Sequence, residues 1–268
     1  MIGFTAGYYG FLGNQMFQYA AVRALAHRRG VRCAFPRNNP DLHETFMLDA
    51  AAVALGGPVS YKERSFTFDP AVLDLPNGVV LAGYFQSEKY FADCADLIRR
   101  EFTFRGLHTA PPPKGTVSVH VRRGDYCKLR DHHPPLTLDY YREAMSRWPR
   151  GTPFMVFSDD PEWCDYHFDD WPNVRVMEKR SAAADMDLMS RCSGGHIIAN
   201  SSFSWWGAWL RETPGKLVVA PCPYLWFGNA KKRCVAHVQR PVVECPACDA
   251  VNLSWDTRDL IPERWERI

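Results

Sequence analysis

In the second half of the chain, short apolar runs alternate with amphipathic segments. Val117–Arg122, Pro153–Phe157, Val174–Met177, Gly195–Ala199 and Lys216–Val219 read as strands, and helices are predicted near Leu138–Trp148, Pro161–Phe168, Ala182–Arg191 and Phe203–Arg211. Strand and helix in alternation predict a parallel sheet with right-handed crossovers. The first half opens with a strand over Ile2–Tyr9 and a turn over Gly10–Gln15. A helix over Met16–Arg29 follows, its apolar face made by Phe17, Ala20, Ala21, Ala24 and Leu25. Gly30 ends that helix, and Val31–Phe35 is a second strand. Residues 41–76 are less regular, with a short apolar helix near Met47–Leu55 and an edge strand at Phe66 and Phe68. Val79–Phe85 reads as a strand and Ser87–Arg99 as a helix capped by Ser87.

The run Pro111–Pro112–Pro113, close to Gly115, is the best boundary in the sequence. It divides the chain into an α/β domain over 1–110 and a Rossmann-like domain over 111–268. The tail after Pro221, with Trp226, Phe227, Trp255 and Trp265, is expected to pack back on the first domain.

Composition narrows the class. The 268 residues are 46% hydrophobic and 23% charged, with a net charge of +2. Nothing in that balance demands nucleic acid or an acidic membrane. Arg28–Arg29 and Lys231–Lys232–Arg233 read as solvated faces. The first ten residues lack a basic, then apolar, leader, and no run of about 18 apolar residues exists to form a transmembrane segment. The expectation is a cytoplasmic enzyme, or one peripheral on the inner face of a membrane. Nine scattered cysteines do not form a secreted disulfide framework. Cys245 and Cys248 have metal-ligand spacing, with Cys222 and Cys234 upstream, but free thiols are the expectation.

The chemistry concentrates at Val117–Asp125. Alternation along a strand sends the valines to one face and His120 and Arg122 together to the other. Gly124 then permits a sharp turn, and Asp125 follows. Arginine at the carboxyl end of a sheet strand suits an anion. The alternative is that Arg122 or Arg123 pairs with Asp125 and ties the loop.

Two further loops follow strands of the same sheet, Ser158–Asp160 and Asn200–Trp206. Asp159 can accept two hydrogen bonds from a guanine edge. Ser201, Ser202 and Ser204, at a helix start with Asn200, offer hydroxyls and N–H groups to a pyrophosphate. Together these describe a site for a guanine nucleotide diphosphate. The alternatives are structural: Asp159 or Asp160 caps a helix before Pro161, and the serines cap the next. Trp205, Trp206 and Trp209 read as core anchors. Asp185–Met186–Asp187 resembles a metal triplet but lies in a helix. In the first half, Gly13, Asn14 and Gln15 stand at a glycine turn before a helix, fit for sugar hydroxyls or phosphate, with helix capping by Asn14 as the alternative.

Four segments carry a family resemblance: Gly13-Asn-Gln-Met-Phe-Gln-Tyr-Ala20, Gly83-Tyr-Phe-Gln-Ser-Glu-Lys-Tyr-Phe91, His120-Val-Arg-Arg-Gly-Asp-Tyr126 and Ile198-Ala-Asn-Ser-Ser-Phe-Ser-Trp-Trp-Gly207. In this order they resemble the α-1,2-fucosyltransferases of glycosyltransferase family 11, of the soluble bacterial kind. The resemblance implies a GT-B fold, two Rossmann-like halves with a cleft between them, the first half being the acceptor side. It also implies GDP-β-L-fucose as donor, a galactose-terminated oligosaccharide as acceptor, inversion at the anomeric carbon, and no metal or other cofactor. By likeness to α-1,6- and protein-fucosyltransferases, His120 and Asp159 would meet guanine and Arg122 the pyrophosphate. Arg123 would hold the loop, through Asp125. Gly13, Asn14, Asn200, Ser201, Ser202 and Ser204 complete the donor set, and Asp125 and Asp131 are candidates for the base. Many members have glycine where this chain has Phe11. The rival expectations are a fucosyltransferase of another linkage, or a non-catalytic glycan-binding protein on the same fold.

Overall fold

A computed structural model describes residues 1–4, 8–36, 40–49, 58–106, 110–227 and 256–268. The chain forms two compact units, Met1–Gly106 with Cys234–Pro262, and Leu107–Arg233 with Glu263–Ile268.

The first unit is built on a four-stranded, all-parallel sheet in the order β2-β1-β4-β3. The strands are β1 (Ile2–Phe4), β2 (Cys33–Ala34), β3 (Tyr61–Lys62) and β4 (Val80–Ala82). Helix α1 spans Leu12–Arg28 and is buried almost all round, as its run of alanines and large apolar residues requires. It starts four residues before the expected Met16. Phe11 is the extended residue at its head, with no side-chain cap, and its carbonyl accepts from the N–H groups of Asn14 and Gln15. The expected turn residues Gly13–Gln15 are therefore the helix's first turn. A short α2 covers Pro40–Thr45. The helix expected over Met47–Leu55 is absent at Met47–Asp49, and its remainder lies outside the described residues.

The edge strand expected at Phe66 and Phe68 lies earlier, at β3. Those two phenylalanines instead pack on Tyr84 and Tyr90, with ring centroids 6.0 and 4.9 Å apart. The helix expected over Ser87–Arg99 is broken. Ser87 caps a 3-10 turn, Glu88–Tyr90, a second turn covers Ala92–Cys94, and only Ala95–Glu101 is α-helical (α3). The reason is visible at Tyr90. Its carbonyl accepts from the Arg28 guanidinium at 2.8 Å, and the Cys94 N–H turns to Phe91 instead. Part of the tail belongs to this unit, where Asp259 accepts from the Phe68 N–H at 2.9 Å and from Lys89 at 2.6 Å.

The second unit follows the expected alternation closely. Its six parallel strands lie in the order β10-β9-β8-β5-β6-β7. They are β5 (Val117–Val121), β6 (Phe154–Ser158), β7 (Val174–Val176), β8 (Gly195–Ile197), β9 (Val218–Ala220) and β10 (Glu266–Arg267). Between them run α4 (Leu138–Met145), α5 (Pro161–Phe168), α6 (Ala182–Ser190) and α7 (Ser202–Trp209). Thr137, Asp160, Ser181 and Ser201 cap these four helices through their side-chain oxygens.

The valines of β5, with Phe154 and Val156, pack on Tyr141, Ala144, Cys164 and Phe168. Met155 and Phe157, pointing the other way, pack on Leu188 and Met189 of α6. Trp205, Trp206 and Trp209 are fully buried, and Trp265 of the tail reaches Trp205 at 5.3 Å. The edge strand β10 was not expected from the sequence. It continues the ladder through Ile268 N–H to Ala220 O and Cys222 N–H to Ile268 O.

No helix among the described residues is long and apolar enough to cross a membrane. The cysteine pair Cys245 and Cys248 lies outside the described residues, as do Cys234, Trp255 and the basic run at 231–233. Cys222 is a free thiol.

Candidate active site

Strand β5 is flanked by β6 on one side and β8 on the other, so the chain order reverses beside it. Parallel sheets bind ligands at such a switch point, outside the strand carboxyl ends. The loops that meet there are Arg122–Asp125 after β5 and Ile198–Ser201 after β8. Tyr126 joins them, its hydroxyl donating to the Asn200 carbonyl at 3.1 Å. Burial pushes that hydroxyl up to about 12, so it stays a donor at neutral pH.

Arg122 is the cationic centre of this rim. Its guanidinium pairs with Asp159 at 2.8 Å and with Asp125 at 2.5 Å, over the Tyr126 ring, and the side chain remains one-quarter exposed. Asp159 also accepts the Arg123 backbone N–H at 2.8 Å. Gly124 is required here, because a Cβ on it would stand 2.4 Å from the Asp159 carboxylate.

The roles expected for Arg123 and Asp125 change. Arg123 does hold the loop, but through Asp160 at 3.1 Å and by stacking 3.9 Å over Trp163, while Asp125 belongs to Arg122. The cause is strand parity: Arg123 points back over α5, whose cap is Asp160. Asp131 lies in the turn that follows and is exposed.

His120 is buried beside Phe203, with ring centroids 5.3 Å apart. Its backbone carbonyl accepts from the Tyr141 hydroxyl at 3.2 Å. Burial, aided by Arg122, lowers its imidazole to about 3, so the ring is neutral. Among the described residues its Nδ1 is buried without a hydrogen-bond partner, as is Asn200 Oδ1. Unsatisfied buried polar atoms are uncommon enough to need a reason. Asn200 otherwise braces the rim, donating to the carbonyls of Pro134 and Leu225 at 2.9 and 3.1 Å.

The serines divide. Ser201 Oγ accepts the Phe203 N–H and caps α7, and Ser202 is half-buried at the helix's first position. Ser204 is fully buried, and its hydroxyl accepts the Ala199 N–H at 3.2 Å. It ties the end of β8 to α7. The Asp185 and Asp187 carboxylates are each taken by an arginine, Arg180 at 2.7 Å and Arg191 at 2.6 Å.

Gly13 and Asn14 belong to the first unit, inside α1. Asn14 does not cap the helix; its Oδ1 accepts from the Gln86 amide at 2.7 Å. Sequence reasoning missed the roles of Tyr126, Trp163, Gln86 and Glu63. Tyr126 and Gln86 lie inside recognised motifs, but their partners are distant in sequence, and nothing in spacing announces them.

Comparison with known proteins follows the same line. The model of the family "Glycosyl transferase family 11" matches residues 66–224. An α-1,2-colitosyltransferase of Escherichia coli is 31% identical over 264 residues, covering 81% of this chain and 90% of that protein. The O-antigen biosynthesis glycosyltransferase WbnK of Escherichia coli is 36% identical over 184 residues, 60% of each chain. Human galactoside α-(1,2)-fucosyltransferase 1 is 28% identical over 233 residues, 75% of this chain and 63% of the human protein. The chain thus spans less than two thirds of the length of the latter two relatives. A crystal structure of NodZ α-1,6-fucosyltransferase soaked with GDP-fucose aligns with a TM-score of 0.49 at 16% identity, covering 78% of this chain and 92% of that one.

Proposed function

The chain belongs to glycosyltransferase family 11, and on that premise we propose that it transfers L-fucose from GDP-β-L-fucose to the 2-hydroxyl of a terminal galactose, with inversion and without a metal. Relatives named as α-1,2-fucosyltransferases and an α-1,2-colitosyltransferase support the linkage.

The observation that carries the donor assignment is Arg122, a partly exposed guanidinium at the switch point, in the loop after β5. Departure of GDP leaves charge on the β-phosphate. Arg122, Ser201, Ser202 and the N–H groups at the head of α7 are assigned to meet it, the task a divalent cation performs in other transferases. Asp159 and Asp125 hold Arg122 in place until a diphosphate shares it. His120 and Asn200, each with an unsatisfied buried atom, are assigned to the nucleoside, together with Asp159. Gly13 and Asn14, in the first unit, are assigned to hydroxyl groups of a sugar-bearing substrate. Ser204 and Arg123 are assigned to support rather than contact.

Two carboxylates are candidates for the base that takes the acceptor proton, Asp125 beside Arg122 and Asp131 in the exposed turn. The variants Asp125→Asn and Asp131→Asn separate them, since the base must come within about 3 Å of that hydroxyl, directly or through one water.

Arg122→Ala tests the donor site. It is expected to lower kcat/KM for GDP-fucose on the order of 10² to 10⁴, the range for removing one group that stabilises transition-state charge. Near-normal kcat/KM in this variant would reject the assignment.

A second reading of the donor rests on the relative that transfers colitose, which is fucose without its 3-hydroxyl. Competition between the fucosyl and colitosyl nucleotides decides it.

A further inference from the structure

Glu63 is a carboxylate where a core residue would be expected. It follows β3 directly, is 4% exposed, and makes no ion pair among the described residues. Both of its oxygens face backbone. Oε2 accepts the Tyr84 N–H at 2.5 Å, and the Phe85 N–H lies 3.0 Å from Oε1 and 3.1 Å from Oε2. Burying a carboxylate is costly, and charge-assisted bonds to N–H groups are what offset it.

The turn held this way is strained. Phe85 has φ +52°, which a bulky residue rarely adopts. Gly83 has φ +157°, and a Cβ on it would stand 2.4 Å from the Glu63 Cβ. Backbone strain persists only where surrounding structure over-determines it, and such strain clusters at ligand sites. The residue after Phe85 carries the geometry onward. Gln86 is 5% exposed and donates to Asn14 Oδ1 at 2.7 Å. That orients the Asn14 amide, whose Nδ2 lies where a Cβ on Gly10 would be 2.2 Å away. At the same turn, Tyr84 meets the Tyr9 ring at 5.8 Å.

We infer that Glu63 is a positioning residue for sugar recognition: its carboxylate holds the Tyr84–Gln86 turn, and the turn sets the Asn14 amide that meets a sugar hydroxyl. This rests on the assignment of Asn14 to a sugar-bearing substrate. A site is reproducible to a fraction of an ångström only when the side chains that touch ligand are locked by others, and Glu63 is the end of such a chain. The groups that feel its charge are Tyr61 on β3, Tyr84 in the turn and Tyr90 in the 3-10 turn, all with hydroxyls pushed up by burial. Across neutral pH, Glu63 is the member of this group that changes charge, its carboxyl being raised by burial to about 7.

The test measures KM for GDP-fucose and for the acceptor, and Kd for GDP alone by calorimetry, in the native enzyme, Glu63→Gln and Gln86→Ala. Glu63→Gln is expected to raise KM for a sugar substrate about tenfold, the worth of one hydrogen bond, and to leave the Kd for GDP unchanged. A rise for GDP-fucose assigns Asn14 to the fucosyl ring, and a rise for the acceptor assigns it to the galactoside. Gln86→Ala is expected to reproduce the effect, with no further rise in the double variant. In the native enzyme the same KM is expected to fall as pH rises through about 7, and Glu63→Gln to flatten that profile. Unchanged KM values in Glu63→Gln would overturn the inference, as would unchanged values in Gln86→Ala should the first variant not fold. Failure of the native protein to bind GDP would instead remove the donor reading, a separate result in the same calorimeter.

Discussion

Asp159 is bound twice by the loop after β5, through the Arg122 guanidinium at 2.8 Å and the Arg123 N–H at 2.8 Å. One carboxylate at the end of β6 therefore fixes both the backbone and the charge of the neighbouring strand's loop. Gly124 makes this contact possible, since any side chain there would meet Asp159.

Gly124→Ala is accordingly expected to push Asp159 from its place and let Arg122 drift. GDP affinity should fall on the order of tenfold, and stability by about 1 kcal/mol, a typical cost for a single disruptive substitution. Calorimetry with GDP and urea unfolding give the two numbers. Unchanged GDP affinity would mean that the Asp159 contact does not set the Arg122 position.

Two histidines of the second sheet should be silent to pH where histidines usually titrate. His120 is lowered to about 3 by burial and Arg122, and His196, bonded to Ser118 Oγ at 2.7 Å, is lowered to about 3 by burial and Lys216. Imidazole NMR signals of both are expected to stay constant between about pH 5 and 8. A base with a depressed folded pKa favours the fold above its unfolded value near 6.5, and that contribution is lost as pH falls toward about 3. Substituting either histidine by glutamine should make acid unfolding less steep.

Glu63 has the opposite sign. Its carboxyl is raised to about 7 by burial, so the folded state favours the protonated form. Its contribution is complete below the unfolded value near 4.5 and is lost as pH rises through about 7, a change of roughly 3 kcal/mol. The fall in melting temperature between about pH 5 and 8 is expected to be smaller in Glu63→Gln than in the native protein.

Much of the second unit was legible in the sequence because its periodicity is strong. Val117, Val119 and Val121 alternate with Ser118, His120 and Arg122, and the helices carry their own caps in Thr137, Asp160, Ser181 and Ser201. Parity put His120 and Arg122 on one face, and it also explains why Arg123 went to Asp160 rather than Asp125. The first unit was less legible where one distant side chain decides a local matter. Arg28 takes the Tyr90 carbonyl and breaks the Ser87–Arg99 helix, and no local propensity carries that information. The start of α1 at Leu12 was hidden because Phe11, Gly13 and Asn14 are poor helix signals, while Gln15 and Gln18 anchor the preceding loop through the carbonyls of Gly10 and Tyr9. The two-residue strand β10 is too short for any pattern. Glu63 read as an ordinary charged residue, because its burial depends on a turn 21 and 22 residues away.

The most direct test of the proposed function is product identity. GDP-fucose is incubated with lactose, lacto-N-biose or N-acetyllactosamine in the presence of EDTA, GDP release is followed, and the product linkage is read by NMR. The account expects turnover with at least one of these galactosides and a Fucα1-2Gal product. A fucose joined at another position, turnover that EDTA abolishes, or GDP-fucose bound without transfer to any of them would each contradict it.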